Sequence, residues 1–157
     1  MKKFLTMIPL LSIFFLLNGF SASAQEELPV MQLECQVSEG NVEYNSSARS
    51  TTFIDTTIDF GYSQTEGMIV VITTSMNTTA SVVGAKDIEI QIKNGNNWVT
   101  VATSTGGELT NTTACILTIK YPSPIEGETY RVVCTHYGDV DGYRELYHET
   151  TGMRCAY

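Results

Sequence analysis

Histidine, tryptophan and positive charge are all scarce in this 157-residue chain, which has two histidines, one tryptophan and nine Lys or Arg against seventeen Asp or Glu. A formal charge of −8 opposes binding to nucleic acid or to anionic lipid surfaces. The four cysteines include no Cys-x-x-Cys pair, which removes the usual dithiol redox motif. No serine stands in a Gly-x-Ser-x-Gly elbow. Apolar residues at three-four spacing with caps are also missing beyond residue 24, so essentially no helix is expected there.

What is present begins with the leader. Lys2 and Lys3 precede an apolar run from Phe4 to Leu17, and Ala22-Ser23-Ala24 supplies the small residues of a cleavage site. This pattern predicts a secretory signal peptide over 1–24 and a mature chain starting at Gln25. A spanning helix needs about 20 apolar residues, and Asn18-Gly19 breaks the run too early, so no transmembrane anchor is expected after cleavage. Residues 25–157 then form one secreted domain with its core within 50–150. Loss of Lys2 and Lys3 makes it still more acidic. The acidic residues are scattered along it, as on a solubilising surface.

Alternation with a period of two runs through the mature sequence. Met31, Leu33, Cys35 and Val37 alternate with Gln32, Glu34, Gln36 and Ser38, as in a half-buried strand. Ile54, Ile58 and Phe60 mark one face of a second strand, with Phe53, Asp55 and Asp59 on the other. The β-branched run Ile69–Thr74 has the composition of a central strand. Ile88, Ile90 and Ile92 lead through Asn94-Gly95-Asn96-Asn97 to Trp98-Val99-Thr100-Val101, which predicts a hairpin over 86–103. A Ser, Thr and Gly-rich loop is expected over 103–110. Cys115, Leu117, Ile119 and Tyr121 line the next strand, Pro122-Ser123-Pro124 ends it, and Tyr130–Tyr137 turns at Gly138–Gly142 into Tyr143–Glu149. Seven or eight short strands predict an all-β, two-sheet antiparallel sandwich.

The hairpin carrying Lys93–Trp98 and the strand opening Gly127-Glu128-Thr129-Tyr130-Arg131-Val132 resemble an immunoglobulin or fibronectin type III sandwich. Together with Val83–Ile90, they are similar to small secreted proteins of Gram-positive bacteria that carry no assigned activity. The resemblance covers 50–157. Tyr130 lies four residues before Cys134, not the two of an antibody-type corner tyrosine, and 68–75 holds no cysteine, so the antibody-type bridge does not carry over.

Four cysteines admit three pairings. Cys115 and Cys134 fall on inward faces of consecutive strands, which suggests one bridge between them and a second from Cys35 to Cys155. The alternative is Cys35 with Cys134 and Cys115 with Cys155. The short and long loops of the first scheme would contribute about 3 and 5 kcal/mol in the chain-entropy model.

Chemistry-bearing motifs are few, and no catalytic, cofactor-binding or metal-binding set is expected. Asp139 and Asp141 are spaced like the start of a calcium loop whose further ligands are missing. A last hairpin centred on Val140 would pair His136 with Arg144 and leave His148 four residues away, too far for one metal. Tyrosines crowd the C-terminal third. Trp98, Tyr137 and Tyr143 offer stacking surface for a sugar ring or a protein side chain. Asn45, Asn77 and Asn111 open Asn-x-Ser/Thr triplets of little weight behind a bacterial-type leader. The chain is thus expected to be a secreted, non-catalytic module, free or held loosely at the cell envelope, that binds a protein or glycan. The alternative is a small extracellular hydrolase.

Overall fold

A computed structural model describes residues 29–40 and 53–157; the expected leader and Asn45 lie outside them. The described residues form an all-β sandwich of two sheets and contain no helix. Ten strands are present: β1 (Met31–Gln32), β2 (Cys35–Glu39), β3 (Phe53–Ser63), β4 (Gly67–Ala80), β5 (Val82–Asn94), β6 (Asn97–Leu109), β7 (Thr112–Tyr121), β8 (Thr129–Asp139), β9 (Tyr143–Glu149) and β10 (Met153–Arg154). One sheet has the order β1-β6-β5-β8, with β9 and β10 both on the outer edge of β8. The other has the order β2-β7-β4-β3. All pairings are antiparallel except β1 with β6.

Alternation explains the core. Met68, Val70, Ile72 and Met76 of β4, Leu117 and Ile119 of β7, Ile88 and Ile90 of β5, and Tyr130 and Val132 of β8 are all buried between the sheets. Each such aliphatic side chain contributes roughly 1.5–3 kcal/mol on removal from water. Tyr130 is fully buried, its hydroxyl accepting the Ile125 N–H at 2.8 Å, and its ring lies beside Tyr62 and Tyr121.

Four sequence expectations are corrected. The run 31–38 is not one strand: it breaks at Leu33-Glu34 and crosses between sheets, so β1 pairs with β6 and β2 with β7. Phe53 packs on the core despite its predicted outward phase, because the β3–β4 register shifts between Phe53 and Asp55. The loop expected over 103–110 is instead the continuation of β6, paired with β5 as far as Leu109. Gly106 makes this possible: at φ +80° it lets β6 pass so close to β5 that a Cβ there would meet Ala85 O at 2.0 Å. Ten strands, two of them only two residues long, replace the seven or eight expected.

One further irregularity positions the outer face. On β5, Val83 and Ala85 point inward, but so do Ile88 and Ile90, a change of parity that an unbroken strand cannot make. Asp87, at φ +52°, absorbs the extra residue as the pairing with β8 shifts between Lys86 and Glu89. Lys86 and Glu89 therefore both lie on the solvent side of the six-stranded sheet.

Candidate functional site

That solvent side carries two polar-aromatic clusters. At one end Tyr137 and Tyr143 stack at 5.8 Å between ring centroids, and the Lys86 ammonium lies 5.7 and 5.8 Å from the two rings. Lys86 pairs with Glu145, which also accepts from the Tyr143 hydroxyl at 3.0 Å. The pair holds the Lys86 ammonium above its ordinary range and the Glu145 carboxyl below its own. Tyr137 donates to Glu108 Oε2 at 2.6 Å; burial, then this bond, pushes its phenol above the usual tyrosine range.

At the other end the Arg131 guanidinium lies 4.7 Å from the Trp98 ring, an ordinary cation–π stack. Arg131 Nε donates to Gln91 Oε1 at 2.7 Å and an η nitrogen reaches Glu149 Oε2 at 3.1 Å. Glu89 Oε2 accepts from Gln91 and from Thr100, both at 2.7 Å. Trp98 is half-buried, and Gly152 passes so close that a Cβ there would meet the ring at 2.8 Å.

The three residues expected to form a binding surface are thus not one patch. Trp98 sits beside Arg131, six residues along β8 from Tyr137, roughly 20 Å away. Tyr137 is corrected from stacking surface to support, since only 7% of it is exposed. Tyr143 does offer a free ring, at 54% exposure. Sequence reasoning did not single out Tyr147, 61% exposed on the same face of β9 as Tyr143, or Leu146, 42% exposed on the opposite face. Among the described residues β9 pairs only with β8, so its outer edge is free.

A third cluster lies inward. His136 is fully buried; its Nδ1 shares a 2.7 Å hydrogen bond with Thr74 Oγ1 and its Nε2 lies 3.2 Å from His148 Nδ1 and 3.6 Å from Cys134 Sγ. The expected separation of the histidines is therefore corrected. Asp139 pairs with Tyr143, so the hairpin centres on Asp141, Cys134 faces His148, and His136 meets His148 on the diagonal. Burial, then the neighbouring His148, lowers His136 to about 4, and burial pushes the Cys134 thiol up to about 12. Among the described residues no group of three or more His, Cys, Asp or Glu side chains could hold a metal ion.

The four cysteines are free thiols, which corrects both pairing schemes. Thr74 lies opposite Cys115 in the ladder and bonds to His136, so Cys115 is level with His136 and not with Cys134. One sheet spacing, one strand spacing and two residues then separate Cys115 from Cys134, roughly 13 Å between Cα atoms, where a bridge tolerates about 7 Å. Burial first, then Cys35 and Glu108, raises the Cys115 thiol to about 11. Cys35 lies on β2 at one edge of the sandwich, whereas Cys155 follows β10 at the other, so the full width of the molecule separates them.

A groove of about 560 Å³ runs along β3 and β4 to Thr150–Met153, lined by Ile58, Phe60, Ile69 and Val71 with Asp59 as its charged residue. Neither histidine lines it. No family model matches the chain, and neither the curated proteins nor the solved structures contain a match.

Proposed function

We propose that this chain is a secreted, non-catalytic sandwich that binds a protein or glycan outside the cell or at its envelope through strand β9. One observation carries this: Tyr143, Leu146 and Tyr147 are exposed together on a strand that, among the described residues, has no partner on its outer edge. Tyrosine combines a large apolar face with a polar tip at low entropic cost, which suits it to anchor sugars or protein side chains. Lys86 and Glu145 hold Tyr143 in place before any ligand arrives.

An immunoglobulin or fibronectin type III origin is supported by strand order. With β3, β4 and β7 as strands A, B and E, and β6, β5, β8 and β9 as C′, C, F and G, every neighbour relation of that fold is reproduced, and β2 occupies the position beside E that strand D takes. The Tyr130 hydroxyl bonded to Ile125 five residues upstream is the arrangement of a corner tyrosine.

The hydrolase reading draws on Cys134, His136 and Thr74, which are ordered like a nucleophile, base and orienting group. Against it, Cys134 is only 1% exposed and its thiol is held protonated, the opposite of an activated nucleophile.

A glycan microarray and co-sedimentation with isolated cell-wall polysaccharide test the binding role. The Tyr143→Ser/Tyr147→Ser double variant should fold, losing about 1 kcal/mol of stability with the Tyr137 stack, and lose retention. Equal retention of the double variant would refute β9 as the binding strand, and hydrolysis of a peptide, ester or glycoside abolished by Cys134→Ser would favour the enzyme.

A further inference from the structure

We infer that β9 pairs with β9 of a second copy of this chain, antiparallel and centred on Leu146, joining two six-stranded sheets into one. The ladder itself shows which backbone groups are available. Val132 and Thr150 are opposed on the continuation of the β8–β9 register, and the Thr150 N–H donates to Val132 O at 3.0 Å. Hydrogen-bonded positions alternate along an antiparallel pair, so on β9 they fall at His148, Leu146 and Arg144. The N–H and C=O groups of Tyr143, Glu145, Tyr147 and Glu149 therefore point away from β8, and among the described residues no strand pairs with them. Such edges are ordinarily blunted by proline, lysine, a bulge or a very short strand. β1 is two residues long, β2 is five, and β3 carries a register shift. β9 has seven residues in unbroken register and contains neither proline nor lysine.

Bond count and charge select one register. Full overlap of Tyr143–Glu149 with its copy sets Leu146 against itself, Tyr143 against Glu149, Glu145 against Tyr147 and Arg144 against His148. Its four opposed pairs of outward-directed residues, each exchanging two hydrogen bonds, give eight across the interface. Sliding the copies by one step of the ladder leaves three such pairs and sets Glu145 against either itself or Glu149. Like charges directly opposed destabilise a sheet. The Leu146-centred register instead sets every carboxylate against a tyrosine. It also brings the two Leu146 side chains, each 42% exposed in the single chain, together at a non-hydrogen-bonded position, where opposed Cα atoms are closest at about 4.5 Å.

This pairing uses the edge of β9 and not its faces, so it stands apart from the proposed ligand role and is read without any ligand. It does enlarge the surface assigned to that role. Tyr143 and Tyr147 of both copies lie on one continuous face, with Tyr147 diagonal to its own copy. The formal charge of −8 on each chain opposes association, and salt screens that repulsion, so the dimer should strengthen as ionic strength rises.

Sedimentation equilibrium of the unliganded protein tests this, in a Cys35→Ser background so that the half-exposed thiol cannot link copies. The mass should rise with concentration to twice that of the chain, and more readily in higher salt. Tyr147→Pro removes an N–H that points off the edge and none that bonds to β8, a change an edge strand tolerates; it should leave a monomer that still unfolds cooperatively. Leu146→Lys, which opposes two ammonium groups, should do the same. Leu146→Cys should oxidise to a covalent dimer, whereas Glu145→Cys and Tyr147→Cys should not. A monomer at every concentration and salt, an undiminished dimer in Tyr147→Pro or Leu146→Lys, or covalent dimers through residue 145 or 147 and not 146 would each overturn the pairing.

Discussion

Replacing Tyr130 by Phe removes one oxygen and leaves the fold otherwise intact, so it isolates a single contact. The hydroxyl accepts the Ile125 N–H at 2.8 Å and ties the β7–β8 connection to the start of β8. The ring is fully buried between Tyr62 and Tyr121, with centroids 6.3 and 6.1 Å away. A typical hydrogen bond contributes about 0.5–1.5 kcal/mol net, and a buried orphan costs about 1–3 kcal/mol. Ile125 is 57% exposed, so water can reach its amide in part, and the lower portion of these ranges applies. Tyr130→Phe should therefore cost about 1–1.5 kcal/mol, lowering Tm by about 3–8 °C for a domain of this size. Tyr130→Ala, which also opens a cavity among the three rings, should cost about 3–5 kcal/mol. Urea unfolding of the three proteins with a common m-value measures both steps. A Tyr130→Phe variant as stable as the parent, or as damaged as Tyr130→Ala, would refute the division between bond and packing.

Thr74→Val keeps the volume at a buried site while removing the partner of His136 Nδ1, and should lower stability by about 1–3 kcal/mol in the same unfolding assay. Alkylation without reductant should label four cysteines in denaturant, whereas under native conditions Cys35 should react first and Cys115, Cys134 and Cys155 only slowly; a disulfide-linked peptide in the digest would contradict the free thiols. Tyr62 and Tyr137 have phenols raised by burial. The native state keeps these protons while the unfolded chain loses them near pH 10, so their contribution is complete below that pH and lost above it. Spectrophotometric titration should show tyrosines that ionise only with unfolding, and smooth ionisation of all eight near pH 10 would exclude this.

The two-sheet fold was legible because burial on one face imposes alternation, and β4 over Met68–Ile72 and β7 over Cys115–Tyr121 obey it. Legibility failed where the backbone changes parity or sheet. Asp87 inserts a residue that only its positive φ reveals, and Leu33-Glu34 carries an apparently regular strand from one sheet to the other. The Gly-rich end of β6 looks like a loop in composition, yet Gly106 serves the close approach to β5 and Gly107 makes room for Val37 of the facing sheet, neither giving chain freedom. The disulfide scheme failed for a related reason: inward facing was visible in the sequence, but relative height across the core is set by inter-sheet contacts such as Thr74 with His136.

The histidine cluster shows how a single residue of register decides chemistry. Gly138-Asp139-Val140-Asp141-Gly142 is locally compatible with a turn about Val140 or about Asp141, since glycine at both ends tolerates either path. A centre at Val140 sets His136 against Arg144. A centre at Asp141 shifts β9 by two residues along β8, because each step of the centre moves the pairing partner twice, and so preserves which side chains face inward. Inward polarity on β9 therefore cannot discriminate between the two turns. Both turns bring Tyr137 and Tyr143 together on the outer face, directly opposed about Val140 and on the diagonal about Asp141, so the difference lies on the inner face: the observed turn sets His148 against Cys134 and His136, where the other leaves His136 without the cross-strand imidazole. The two-residue shift thus assembles the buried thiol–imidazole cluster on one side of β9 while keeping the Tyr137–Tyr143 contact on the other.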